Sequence, residues 1–282
     1  MRCILTVSLL LLLSVPGCSA RTGSSDQIPP GTTDYVAVFG DSRDNNQIFS
    51  YLLRSALWNR RPSAVVHLGD MISSPSSFGQ WPVFANIVRS FSVRDIFLPV
   101  VGNHDVDSAD SLEIFRTVFP EVPASGYYTH KVGPCFALFL NTEESDTEAG
   151  TVSATQLDWA RSTLAGNDAQ SAQCRIVLTH RPVFPQNHHK GKDLQPSAEL
   201  VALFQDEKVN LVLSGHEHSY SHIEKDGIHY VVSGGAGSPL FLDAGPEAAF
   251  FHYLQLAFTD TSINVRAIEI SGKVRDEFNV SF

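Results

Sequence analysis

Five short apolar runs, each closing on a residue able to hold a cation, constrain what this chain can become. "YVAVFGD" ends on Asp41, "SAVVHLGD" on Asp70, and "DIFLPVVGNH" on Asn103 and His104. "CRIVLTH" ends on His180, and "VNLVLSGHEH" on His216 and His218. Continuous runs of Val, Ile and Leu, without polar alternation, predict strands covered on both faces. Helical patterns lie between them. Residues 46–61 carry Ile48, Leu52 and Ala56 and stop at Pro62; 80–91, 153–166 and 195–208 follow the same habit. In the third, Ser153 and Gln156 predict a capping box and Gly166 a C-cap. Strands alternating with helices give an α/β class. The last third, "GIHYVVSGG", "FHYLQLAFTD", "SINVRAIEI" and "VRDEFNVSF", predicts consecutive antiparallel strands. No repeat or boundary divides residues 34–282, which are expected to form one domain.

The chain has 282 residues, of which 43% are hydrophobic, enough for one large core. Its net charge is −10 and no Lys/Arg block occurs, so a nucleic acid backbone is a poor partner. Arg2 followed by the apolar stretch from Ile4 to Val15 reads as a signal peptide over residues 1–17, too short for a spanning helix of about 20 residues. "VPGC" is similar to a bacterial lipobox, which predicts a lipid on Cys18 and anchoring to the cell envelope. Ordinary cleavage near Ala20, giving a secreted or periplasmic protein, is the alternative. Residues 18–33, small and Pro/Gly-rich, read as a flexible tether. Cys135 and Cys174 each open an apolar run; a disulfide and two buried thiols are both open. No CxxC exists for a zinc knuckle. The sequence leaves the oligomeric state open.

In open α/β sheets, sites form at the carboxyl ends of strands. A lone Asp after Gly is usually a turn residue, and a lone His after a strand usually a satisfied one. Five such endings along one chain are hard to treat as independent. Two carboxylates, an amide oxygen and three imidazoles suit Mn, Fe or Zn and not Ca. In an extended "HEH", His216 and His218 face one side with Glu217 turned away. No GxSxG occurs, and neither cysteine has a catalytic neighbourhood, so a serine or cysteine hydrolase finds no support.

"GD-S-R" (40–43), "GDM" (69–71), "GNHD" (102–105), "TH" (179–180) and "GHEH" (215–218), in this order, resemble the calcineurin-like metallophosphoesterase family, which includes the purple acid phosphatases. The resemblance implies a double β-sheet sandwich flanked by helices and two divalent or trivalent transition metal ions. It implies hydrolysis of a phosphate ester by a metal-bound hydroxide. By position, Asp70 would bridge both metals, Asp41 and His218 would bind the first, and Asn103, His180 and His216 the second. His104 would serve the leaving-group oxygen, and Asp105 would orient His104.

Arg43 departs from the D-x-H pattern common in that family, and Ser73 stands where purple acid phosphatases carry a tyrosine. Arg cannot ligate a cation while charged. The first metal is therefore expected to be weak, or completed by water or Asn45. Arg43 either reaches the substrate phosphate or pairs with a carboxylate such as Asp44. A non-catalytic, envelope-anchored binding or scaffolding protein on the same fold is the alternative function. The loop 181–193, with His188, His189, Lys190 and Lys192, is either a positive rim for an anionic substrate or a solvated surface loop. "SGGAGSP" (233–239) predicts a tight turn near the site.

Overall fold

The computed structural model describes residues 28–282, apart from Asn59, Phe78 and Asp146. The expected leader and Cys18 lie outside the described residues, as does most of the tether. Successive elements are β1 (Asp34–Phe39), α1 (Asn46–Leu57), β2 (Ala64–His67), α2 (Gln80–Ser90), β3 (Phe97–Pro99) and α3 (Ala109–Val118). Next come β4 (Tyr128–Val132), β5 (Cys135–Phe139), α4 (Ala154–Leu164), α5 (Asn167–Gln170), β6 (Cys174–Leu178) and α6 (Ser197–Asp206). The chain closes with β7 (Leu211–Ser214), β8 (Tyr220–Lys225), β9 (Ile228–Ser233), β10 (His252–Phe258), β11 (Ser262–Glu269) and β12 (Val274–Ser281).

These strands form two six-stranded mixed sheets, ordered β12-β11-β10-β1-β2-β3 and β4-β5-β6-β7-β9-β8. The continuous apolar runs have the predicted cause. On β1, Val36 and Val38 face the core between the sheets, while Tyr35, Ala37 and Phe39 face the helices. On β6, Cys174, Ile176 and Leu178 face the other sheet and Val177 faces α4 and α6. Both sides of a strand are thus removed from water, each large apolar side chain contributing roughly 1.5–3 kcal/mol. A cluster of Phe49, Trp81, Phe84, Phe97, Phe115 and Phe119 fills the space between one sheet and α1–α3.

The expected α/β sandwich is present, with local corrections. α1 ends at Leu57 rather than 61, because a residue ahead of Pro62 is disfavoured in helical geometry. Ser153 Oγ does accept the Gln156 N–H, but the Gln156 side chain turns to Asn141 and Glu144. Glu144 takes the Ser153 N–H instead, so the capping box is half-formed. Gly166 has φ −72 and precedes α5; it is no left-handed C-cap. α3 was not foreseen. β10–β12 are consecutive and antiparallel as expected, but β9 belongs to the other sheet, parallel to β7 and antiparallel to β8. Cys135 and Cys174 are direct neighbours on β5 and β6 and form a disulfide.

Candidate metal centre

The carboxyl ends of β1, β2 and β3 meet those of β6 and β7 at one end of the sandwich. Asp41, Asp70 and His216 leave their strands with φ of 58, 58 and 67. Non-glycine residues in this left-handed region cost roughly 1–2 kcal/mol each. The turns turn all three toward one spot. Close approach of the backbones needs the glycines beside them. A Cβ on Gly69 would lie 2.6 Å from His180 Nδ1, and one on Gly102 would lie 2.3 Å from Asp70 N.

Asp41, Asp70 and His218 each offer a ligand atom, all within 4.8 Å of one another, and all three residues are buried. Asp41 Oδ2 accepts the His216 N–H at 2.9 Å, while Asp41 Oδ1 is buried without a hydrogen-bond partner. His218 Nδ1 donates to Pro239 O at 2.8 Å, so its Nε2 is a lone pair, 3.7 Å from Asp41 Oδ1. His180 is held the same way. Its Nδ1 donates to Leu68 O at 2.8 Å, leaving Nε2 2.9 Å from Asn103 Oδ1 and 3.4 Å from Asp70 Oδ1. Acceptors facing acceptors in a buried space are satisfied by a cation or a proton between them. Fixing the tautomer through the far nitrogen is how proteins orient imidazole ligands. The donor set therefore fits the implied metals.

Electrostatics agree. Burial first, then the Asp70 charge, push the Asp41 carboxyl well above its usual range. Burial would raise Asp70 too, but His180, His104 and Arg43 hold it below. Burial lowers His216, and lowers His218 to about 4, so both rings are neutral, as ligands must be.

His216 is at the site. Its Nε2 accepts from Arg181 Nη1 at 3.3 Å, which leaves Nδ1 as its remaining ring nitrogen for a cation. Asp105 is also corrected. Its carboxylate accepts the N–H groups of Asp70, Met71, Ile72 and Gly102 and so sets the Asp70 turn. The His104 ring is oriented by Ser73 O, which accepts from Nδ1 at 2.7 Å. His104 Nε2 is left facing the cleft, 4.0 Å from Asp70 Oδ2. Asn45 caps α1 through Oδ1 and does not complete the first site.

Arg43 pairs with carboxylates, as one of its two sequence readings has it. Its Nη1 pairs with Asp44 at 2.7 Å, and its Nε lies 3.4 Å from Asp70 Oδ2 without a hydrogen-bond partner. It lines a cleft of about 430 Å³ together with His104, Arg181, His189 and Phe241. Of His188, His189, Lys190 and Lys192 in the loop 181–193, two are paired with acids, while Lys190 is exposed with no ion pair among the described residues. Lys192 pairs with Glu148 and His188 with Asp243, while burial lowers His189 to about 4. The glycine loop runs beside the site as expected, with Ala236 N and Ser238 N bonding Gly40 O and Asp41 O.

Three residues were missed. Glu217, fully buried, accepts backbone N–H groups from Gln186, Asn187 and His189. It thereby brings His189 onto the His216 ring, with centroids 4.3 Å apart. Phe241 stacks on His218 at 4.4 Å. Arg181 pairs with Glu143 and steers His216. Only Glu217 had a signal, a charged residue set between two ligand candidates.

Comparison with known proteins agrees with this fold. The Arabidopsis thaliana protein named "Probable inactive purple acid phosphatase 1" is 24% identical over 271 residues, covering 79% of this chain and 44% of that protein. The chain spans about half the length of the curated relatives it matches. A purple acid phosphatase from yellow lupin (Lupinus luteus) seeds superposes with TM-score 0.68 and 20% identity, over 88% of this chain and 53% of that one. A dimetal phosphatase from Danio rerio gives TM-score 0.64 and 16% identity, over 89% and 99%. The profile of the calcineurin-like phosphoesterases matches residues 35–220, two strand-tip aspartates and "GHEH" included, and the chain belongs to that family.

Proposed function

We propose that this protein is a metal-dependent phosphoesterase, with two transition metal ions held by Asp41, Asp70, Asn103, His180, His216 and His218. The observation that carries this reading is the buried meeting of ligand atoms from Asp41, His218 and Asp70, with His180 and Asn103 beside them. When bound, a pair of such cations lowers the pKa of a water and offsets charge on a phosphoryl group. The chain's own residues do the rest. Arg43, which lines the cleft with Nη1 on Asp44 and Nη2 free, supplies a donor to a phosphoryl oxygen. His104 Nε2, with Nδ1–H fixed on Ser73 O, stands at the mouth to hand a proton to the leaving oxygen. Asp105 keeps the Asp70 turn in place through four backbone bonds.

The second reading is a non-catalytic binding or scaffolding protein on the same fold. Arg43 beside Asp70, and the relative named inactive, favour it. The proposed location is the cell envelope, through lipid on Cys18. Hydrolysis of p-nitrophenyl and bis-p-nitrophenyl phosphate with added Mn, Fe or Zn separates the readings. Turnover that depends on metal supports the enzyme; none with any metal, in a folded and metal-loaded protein, supports the binder.

A further inference from the structure

A second group of metal-ligating side chains lies on the β8–β9 hairpin, outside the cleft. The hairpin register pairs Glu224 with His229, and His222 precedes Glu224 by two residues. Cross-strand partners and i, i+2 neighbours share a face, so His222, Glu224 and His229 project together. His222 Nε2 lies 3.0 Å from His229 Nδ1.

The far side of the His222 ring is fixed by the opposite sheet. His222 Nδ1 faces Asp276 Oδ2 on β12 at 3.3 Å, and that oxygen also accepts from Tyr220 Oη at 2.8 Å. A proton on Nδ1 toward the carboxylate makes Nε2 a lone pair that accepts the His229 Nδ1–H, and a cation bound here would replace that shared proton. A carboxylate behind an imidazole in this way fixes its tautomer and raises its strength as a ligand. Phe278 lies flat against both rings, with centroids 3.6 and 5.1 Å away, and sets their planes. Burial lowers both rings below their ordinary value, which keeps them neutral near pH 7. Glu224 is exposed on the same face, and its carboxylate has to rotate toward the two nitrogens to complete the set.

We propose that His222, His229 and Glu224 form a separate site for a borderline divalent cation, zinc foremost, with Asp276 as the orienting carboxylate. Two imidazoles and one carboxylate suit zinc, nickel or copper rather than calcium or magnesium. Water completes the coordination on the open side. Because Asp276 belongs to the other sheet, a cation here ties the hairpin to β12 across the edge of the sandwich.

The test is zinc titration of the full chain by calorimetry, with zinc content measured after dialysis. Wild type is compared with His229→Gln, Glu224→Gln and Asp276→Asn. The expected result is one more zinc in wild type than in His229→Gln, and at least tenfold weaker binding of that zinc in Asp276→Asn and Glu224→Gln. Glu224 is solvent-facing, so its variant reads the site even where a histidine variant folds poorly. Equal zinc content and affinity in wild type and all three variants would overturn the site. The count differs between variants whether or not the cleft hydrolyses esters, so the two readings fail separately.

Discussion

Arg43 Nε stands 3.4 Å from Asp70 Oδ2, the carboxylate oxygen that His104 Nε2 approaches to 4.0 Å on its other side. A fixed positive charge thus borders the Asp70 carboxylate. Its Nη1 is paired with Asp44 and its Nε is buried against Asp70, which leaves Nη2 as the free end of the guanidinium at the cleft.

Replacing Arg43 by Ala removes that donor from the substrate without touching a ligand. A hydrogen bond to a charged group contributes roughly 1.5–3 kcal/mol, so KM for p-nitrophenyl phosphate should rise about 10- to 100-fold. Metal content should stay at the wild-type level. An unchanged KM with reduced thermal stability would assign Arg43 to structure alone.

His104 is expected to act on protons and not on metals. Its Nδ1 is committed to Ser73 O and its Nε2 faces the cleft. His104→Ala should lower kcat by roughly a hundred- to ten-thousandfold, the usual yield of general acid catalysis. Elemental analysis of the same preparation should find metal near wild type. Parallel loss of metal and activity would contradict this role.

Asp105→Asn tests the backbone scaffold. The carboxylate accepts four N–H groups; an amide can accept on one oxygen and turns its NH₂ against the others. Leaving two buried donors unsatisfied costs about 2–5 kcal/mol. Urea denaturation should show that loss, and the Asp70 turn should hold metal less well. A variant as stable as wild type would remove Asp105 from this role.

Acid should destabilise the fold through His252, which lies outside the ligand set. It is buried, donates from Nδ1 to Phe250 O, and meets the Ser233 hydroxyl at Nε2. Burial lowers it from 6.5 to about 4. Its folded value is below its unfolded value, so the unfolded chain binds the proton first. The neutral-His contribution is complete above pH 6.5 and is lost as pH falls toward 4, by about 3 kcal/mol. Stability curves of wild type and His252→Gln should converge over that window; parallel curves would contradict it.

Closure of the 39-residue separation by Cys135 and Cys174 is expected to contribute about 4 kcal/mol by chain entropy. Reduction should lower the urea midpoint while metal content is retained. A midpoint unmoved by reductant would show that the bridge adds nothing to stability.

The strands and their ends were readable because burial on both faces leaves a continuous apolar run, and because a glycine marks four of the five turns, the one at Thr179–His180 excepted. Asp41, Asp70, Asn103, His180 and His218 follow directly from that pattern. What escaped depends on the third dimension. Arg181 follows His180 in sequence, yet its bond to His216 is set by how β6 and β7 lie side by side. Asp105 follows His104, but its side chain points back under the Asp70 turn, away from the ring. α3 was hidden by a short apolar face, with only Ser111 and Phe115 fully buried. Gly166 was misjudged because a glycine after a helix signals a cap only in the left-handed conformation, which sequence does not report.

The central claim, that the strand-tip side chains hold cations that drive ester hydrolysis, is tested most directly by Asp70→Asn. Metal content and hydrolysis of p-nitrophenyl and bis-p-nitrophenyl phosphate are measured together on metal-reconstituted wild type and variant. Metal-dependent turnover in wild type, with loss of both cleft metal and turnover in Asp70→Asn, is the predicted result. A wild type that binds metal yet hydrolyses neither ester, or a variant that keeps full metal and full rate, would contradict it.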